Sequence, residues 1–224
     1  MEFTFGIITS GKNLDYAVIN SIYSQNIPKD KFEIIVVGGE YLSRYPNIIH
    51  IEFDESQKPM WITRKKNLIT KNAKFENIVF LHDYYILYDN WYQGFLNFGN
   101  DWDICMNQVL NLNHSRFRDW IICYDRELED RDFSLDEVRG GRPTRYLPPY
   151  DYNKTKNMYI SGGYWVAKKQ VMEEEPLNEN LVWEQGEDYE WSERVLWSGK
   201  YNYKMNVHST VQTLKDKRLS AELL

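Results

Sequence analysis

The residues able to do chemistry on a ligand fall into a few short runs. The apolar stretch Asn77-Ile78-Val79-Phe80-Leu81 ends in His82-Asp83-Tyr84, which sets an imidazole beside a carboxylate. Glu187 and Asp188 place two carboxylates in succession within Trp183-Glu184-Gln185-Gly186-Glu187-Asp188-Tyr189-Glu190-Trp191, and His208 follows about twenty residues later. A carboxylate can bind a hard cation or take a proton from a hydroxyl, and an imidazole ligand beside it suits Mn²⁺ better than Mg²⁺. Arg64-Lys65-Lys66 could hold phosphate, and Trp183, Tyr164 and Trp165 could stack on a sugar ring. Plainer uses stay open for each: the positive end of a helix for Glu187 and Asp188, a solvated face for the basic run, a packed core for the aromatics. His50 and His114 have no motif around them, and no role is assigned to them.

The elements that must position these groups are short apolar runs alternating with helical patterns. Residues 3–9 read as a buried strand, 14–23 as a helix with Ala17, Val18 and Ile22 on one face, and 32–37 as a second strand ending in Gly38-Gly39. A third strand over 47–53, a helix over 61–74 and a fourth strand over 77–81 follow. This alternation predicts right-handed crossovers and an α/β architecture, a Rossmann-like, mainly parallel sheet flanked by helices. Ligands of such sheets sit beyond the carboxyl ends of the strands. That selects Thr9, Ser10 and Gly11, then Gly38 and Gly39, then His82, Asp83 and Tyr84 as the rim of a nucleotide cleft, with ordinary turn chemistry as the alternative for each glycine pair.

Beyond residue 100 the pattern loosens. Residues 102–112 and 120–124 read as strands, 125–132 as a solvated charge run and 139–157 as a long loop rich in Pro, Gly and Tyr. A helix is expected to start near Glu187, with a short strand over 201–207 after it. No linker is visible, so residues 1–224 are expected to form a single domain.

Composition narrows the partners. The chain has 224 residues and a formal charge of -6, which disfavours a sequence-independent grip on nucleic acid phosphates. With 42% hydrophobic and 27% charged residues it has the apolar mass for a core, yet no run that could span a bilayer. Cys105 and Cys123 lie in apolar runs without metal-type spacing, and the N-terminus carries no secretory signal, so a cytoplasmic protein is expected.

The stretch from Lys66-Asn67 through Ala73-Lys74-Phe75-Glu76 to His82-Asp83-Tyr84 resembles, without a gap, a segment of glycosyltransferase family 2 and related GT-A enzymes. In that segment an Arg-Asn pair opens a helix and the following strand ends in a DxD metal motif. The opening Phe5-Gly6-Ile7-Ile8-Thr9-Ser10-Gly11, Ser21-Ile22-Tyr23-Ser24-Gln25 and Glu33-Ile34-Ile35-Val36-Val37-Gly38-Gly39 are similar to the start of the same family. Tyr159-Ile160-Ser161-Gly162-Gly163-Tyr164 is similar to its glycine-rich turn beside the donor sugar, and Gly186-Glu187-Asp188-Tyr189-Glu190-Trp191 to its G-E-D-x-E-W segment.

The resemblance implies transfer of a sugar from a nucleotide diphosphate donor, UDP-linked in the first instance, to a hydroxyl acceptor with inversion. It implies a donor-binding half over about 1–100 and an acceptor-side half over about 101–224. Asp188 would be the general base with Glu187 beside it, and Asp83 and His208 would hold Mn²⁺, or Mg²⁺ in second place. Thr9, Ser10, Gly11, Gly38, Gly39, Arg64, Asn67, His82, Gly162 and Gly163 would bind the donor. Trp183, Tyr164 and Trp120 would meet the acceptor, with Arg142, Arg145 and Tyr146 as further candidates. The chain departs from the family where His82 and Tyr84 replace the two outer acids of the metal motif and where Gly38-Gly39 replaces an acid after the second strand. The His82-Asp83-Tyr84 departure keeps open a GT-A domain that binds nucleotide or glycan without catalysis, and the shared nucleotide-binding α/β plan keeps open a sugar-phosphate nucleotidyltransferase.

Overall fold

The computed structural model describes residues 1–11, 16–40, 45, 48–124, 144–147, 150, 158–215 and 222–223. The expected opening is present as β1 (Phe3–Ile8), α1 (Tyr16–Tyr23), β2 (Phe32–Val37), β3 (Ile48–Ile51), α2 (Ile62–Asn72) and β4 (Asn77–His82). The chain continues through β5 (Tyr85–Leu87), α3 (Trp91–Phe98), β6 (Ile104–Leu110) and β7 (Trp120–Tyr124), then β8 (Thr144–Leu147) and β9 (Met158–Ile160). It ends with β10 (Tyr164–Lys168), α4 (Lys169–Glu174), α5 (Glu187–Trp197), β11 (Tyr203–Thr213) and β12 (Glu222–Leu223).

Eight strands form one sheet in the order β3-β2-β1-β4-β10-β6-β11-β5, and β12-β8-β7-β9 form a second. The first four strands of the large sheet pair in parallel, β10 runs antiparallel between β4 and β6, and β11 runs parallel to β6. Strands buried on both faces read as unbroken apolar runs, which is why β1, β2 and β4 were legible from sequence.

Side chains alternate across the sheet into two layers. Phe3, Phe5, Ile7, Ile34, Val36, Val79, Leu81 and Val166 pack with Val18, Ile19 and Ile22 of α1 and with Trp91 and Phe95 of α3. Ile35, Val37, Ile78, Phe80, Ile104, Trp165 and Ala167 pack on the other side with Ile69 of α2, Val171 and Met172 of α4, and Trp191 and Val195 of α5. No helix among the described residues is long and apolar enough to cross a membrane.

Three expectations need correction. The stretch 139–157, read as loop, contains β8, while Tyr150 is its other described position; the charge run 125–132 lies outside the described residues. The last long strand reaches Thr213 rather than Val207, because a bulge between Asn206 and Thr210 lets β11 resume its pairing with β6. Helix α3, Trp91-Tyr92-Gln93-Gly94-Phe95-Leu96-Asn97-Phe98, escaped notice because its aromatic content looks strand-like and no side chain caps its start.

Trp91 is the keystone of the first layer. Its ring meets Phe95, Phe3 and Phe5 at centroid distances of 4.6, 5.0 and 5.3 Å, and its Nε1–H donates to the Tyr164 hydroxyl at 2.8 Å. Removing a fully buried Trp side chain costs about 3–5 kcal/mol. Trp91→Ala is therefore expected to lower the unfolding free energy by that amount in urea titration, and a loss below about 1 kcal/mol would contradict this packing account.

Candidate functional site

Four chain segments are drawn to the carboxyl edge of β4, each by a specific pairing. β1 runs beside β4 with Ile8 opposite His82, so Thr9 emerges next to Asp83 and its hydroxyl donates to Asp83 Oδ2 at 2.8 Å. β10 is antiparallel to β4, which brings its start to the end of β4; the His82 amide donates to the Gly163 carbonyl at 3.0 Å. The end of β11 arrives through the Leu214 amide, which donates to the Tyr84 carbonyl at 2.7 Å. Helix α5 begins beside Gly162, whose amide donates to Asp188 Oδ2 at 2.8 Å.

These segments line two adjoining cavities. The larger, about 500 Å³, is bounded by Ile8, Thr9, Ser10, Glu55, Met60, Ile62, Lys65, His82, Asp83, Tyr84, Trp183 and Lys215. The smaller, about 200 Å³, is bounded by His82, Tyr84, Phe117, Arg118, Ser161, Gly162, Gly163, Trp183, Glu187 and Asp188. His82, Tyr84 and Trp183 belong to both, so they form the wall where the two meet. The strand edge formed by Thr9 and Asp83 and the paired carboxylates thus share one cleft.

Within the smaller cavity, Asp188 accepts from two backbone amides, Gly162 at Oδ2 and Tyr189 at Oδ1, the latter at 2.9 Å. Each carboxylate oxygen has a second acceptor site, so this fixation orients the group without exhausting it. A side chain at Gly162 would crowd the pair, since a Cβ would stand 3.1 Å from Asp188 Cβ and 3.3 Å from Glu187 Oε1 and both carboxylates would have to give by a few tenths of an ångström. Burial, then the neighbouring Asp188, raises the pKa of Glu187. Lys66 lies behind the pair, buried, with its ammonium donating to the Gly162 carbonyl at 2.7 Å and standing 4.5 Å from the Trp165 ring centroid. Burial pulls its pKa down to about 8, against the opposing pull of Glu187 and Asp188.

In the larger cavity, Lys65 is almost wholly buried; its ammonium donates to the Thr9 carbonyl at 2.7 Å and pairs with Glu55. Gly38, at φ +86°, makes this possible, because a Cβ there would come within 2.4 Å of the Thr9 carbonyl and 3.1 Å of Lys65 Nζ. Gly38 and Gly39 therefore seat the Thr9 turn and line neither cavity.

Thr9, Ser10, His82, Asp83, Gly162, Gly163, Trp183, Glu187 and Asp188 of the expected set come together on this cleft; the others do not. Gly11 packs on Gly39 and donates its amide to Thr9 Oγ1. Arg64 turns outward to Glu179, and Asn67 is engaged by Leu177 and Glu179, because on a helix only one face can look at the cleft and Lys65 and Lys66 hold it. Tyr164 is a core residue whose hydroxyl bonds Trp91 and Asn107, and Trp120 and Trp165 are equally buried. Arg142 lies outside the described residues, and Arg145 and Tyr146 lie on β8. Glu55, Arg118 and Lys215 line the cleft and stand in no motif, while Ser161 lines it from within the glycine-rich turn whose two glycines were the expected contacts.

His208 is placed away from Asp83. It is exposed within the bulge of β11, where its carbonyl accepts from Asn90, and it precedes Leu214 by six residues, roughly 15–20 Å of extended strand. The remaining donors at the edge suit a divalent cation poorly. Asp83 is committed to Thr9 at one oxygen, Glu55 to Lys65, the His82 imidazole is engaged at Nδ1 with the Tyr84 hydroxyl at 3.1 Å, and the Tyr84 phenol is held protonated by burial and by Asp83. Among the described residues no three His, Cys, Asp or Glu side chains are grouped to hold an ion. The ligand set expected for Mn²⁺ or Mg²⁺ is not assembled.

The buried Lys66 makes a pH prediction. Its folded pKa of about 8 lies below its ordinary 10.5, so between those values the unfolded chain binds more protons and stability rises with pH. The buried tyrosines and Cys105 work in the opposite sense above their own ordinary values, but they are common to wild type and variant. The wild type is expected to gain on Lys66→Met by about 1 kcal/mol per pH unit from pH 8 to 10 in urea unfolding, and a flat difference would contradict the lowering of the Lys66 pKa by burial.

No protein-family model matches the chain, and no curated protein matches it by sequence. Likeness to solved structures is broad. S. aureus TarS 1-349 in complex with UDP-GlcNAc aligns with a TM-score of 0.63 and 12% identity over 97% of this chain and 60% of that one. The longer S. aureus TarS aligns with a TM-score of 0.63 and 12% identity over 94% and 36%. GalNAc-T7 with UDP, GalNAc and Mn²⁺ aligns with a TM-score of 0.66 and 12% identity over 97% and 44%. The chain spans about a third to three fifths of the length of these chains. At such identity the likeness is one of architecture, and that architecture is the GT-A fold of nucleotide-sugar glycosyltransferases, a mixed α/β sheet flanked by helices.

Proposed function

We propose that the chain transfers a sugar from a nucleoside diphosphate donor, UDP-linked in the first instance, to a hydroxyl acceptor, with inversion and with Asp188 as general base. The observation that carries this is the single cleft in which an oriented Asp188 faces, across His82 and Trp183, the strand edge formed by Thr9 and Asp83. Structural neighbours crystallised with UDP, UDP-GlcNAc or UDP and GalNAc support the donor class.

In this reading the diphosphate lies in the larger cavity and the acceptor enters the smaller. The bond from the anomeric carbon to the diphosphate oxygen breaks, its electron pair leaving with the diphosphate. The acceptor oxygen bonds to the anomeric carbon from the opposite side, and its proton passes to Asp188. Charge separates in this step, so a fixed carboxylate and a fixed counter-charge lower its barrier more than mobile solvent does. Lys66 keeps the Glu187-Asp188 pair electrostatically supported from behind, which suits a base that must stay ionised before the proton arrives. Trp183, 45% exposed at the junction, offers an aromatic face to the sugar.

A panel of UDP-, GDP- and ADP-sugars, assayed for free nucleotide release with and without Mn²⁺, tests the reading even before the acceptor is known, through slow transfer to water. Asp188→Asn is expected to reduce release by a factor on the order of 10²–10⁴, with UDP affinity unchanged. A product with retained anomeric configuration would sink the inverting mechanism. Nucleotide binding without cleavage of any donor would favour a binding domain, the reading that Tyr84 in the metal motif encourages.

A further inference from the structure

We infer that the ammonium of Lys215, rather than a divalent cation, carries the counter-charge for the donor's diphosphate. The inference rests on the nucleoside diphosphate donor proposed above. It starts from the position where the resemblance would place a second acidic metal ligand and the chain has Tyr84. Lys215 Nζ stands 4.1 Å from the centroid of that ring, on the wall of the cavity that Asp83 and Thr9 also line. The Leu214 amide, bonded to the Tyr84 carbonyl at 2.7 Å, fixes the chain one residue before it and so roots the Lys215 side chain at this edge.

The charges of the cavity argue the same way. Lys65 is matched by Glu55 and turned to the Thr9 carbonyl, so its charge is already met. Asp83 adds a negative charge with one oxygen bound to Thr9. A diphosphate entering beside Asp83 therefore requires a positive group that is not consumed elsewhere, and a cation held on an aromatic face at an exposed position can move onto phosphate at little cost. A divalent ion at the same place would instead meet one partly committed carboxylate, a phenol, the His82 imidazole whose Nδ1 is engaged with that phenol at 3.1 Å, and the Lys215 charge. The consequence is that nucleoside diphosphate binding runs without metal and through Lys215.

Calorimetry with UDP, GDP and ADP, each alongside its parent nucleoside, tests this on the whole chain in EDTA and in Mn²⁺. At least one nucleoside diphosphate is expected to bind in EDTA, with Mn²⁺ changing its Kd by less than about threefold. Lys215→Ala is expected to weaken that binding roughly tenfold or more while leaving the nucleoside unaffected, and Lys215→Arg to restore most of it. Equal loss for nucleoside and diphosphate would mean a structural role and overturn the inference. Binding that needs Mn²⁺ and ignores Lys215→Ala would overturn it while leaving the proposed function in place. Absence of binding by all three diphosphates, with and without Mn²⁺, would remove both.

Discussion

The antiparallel entry of β10 between β4 and β6 is the constraint on which the cleft depends. A parallel sheet brings only strand ends and the loops after them to its carboxyl edge, and here that would supply Thr9 and Asp83 but no opposed base. Reversing one strand brings the beginning of β10 to the same edge. Gly162 and Gly163 then lie against His82, and Gly162 in turn docks the first turn of α5 through Asp188. The two halves of the cleft are thus coupled through one strand pairing and two glycines too small to hold the carboxylates away. A side chain at Gly163 would strike the Tyr85 hydroxyl at 2.7 Å, so the close approach is required on both faces of the turn.

The cost of that arrangement is concentrated at Lys66. A lysine that is fully buried loses hydration worth far more than an ordinary hydrogen bond returns, and its lowered pKa expresses this. The ammonium is retained because three partners meet it together: the Gly162 carbonyl, the Trp165 face and the field of Glu187 and Asp188. A neutral side chain of similar size would relieve the lysine's own desolvation but would leave two carboxylates near each other with nothing behind them. The position therefore links stability and site chemistry, and the same group that strains the fold holds the proposed base in register.

Legibility in the sequence followed burial pattern and motif spacing. Strands β1, β2 and β4 were readable because strands buried on both faces are continuous apolar runs, and Glu187-Asp188 because a rare local motif marks a helix start. Strands β5 and β8 were not, being three and four residues long with no period to detect. Aromatic content misled in a specific way: Trp91, Trp120, Trp165, Trp191 and Tyr164 are buried packing, and of the expected stacking residues Trp183 reaches the cleft. Arg64 and Asn67 illustrate a second limit, since a motif on a helix identifies the turn but not which neighbouring side chain faces inward. Here the inward face belongs to Lys65 and Lys66.

The bulge in β11 explains why His208 lies away from Asp83 while Lys215 reaches the cavity that Asp83 lines. Asn206 pairs with Asn107 and Thr210 with Gln108, so the step from 206 to 210 answers a step of one on the partner and three residues are extra. An odd insertion reverses which face each later side chain takes. Before the bulge, Tyr203 and Met205 pack into the layer that holds Trp165 and α5; after it, Val211 packs into the layer that holds Trp91 and α3. His208 is among the three extra residues and is expelled to the surface, whereas the chain beyond it is carried on to Tyr84 with its faces exchanged. The charge that arrives at the cleft edge is then decided by backbone register, and in this chain that register delivers Lys215.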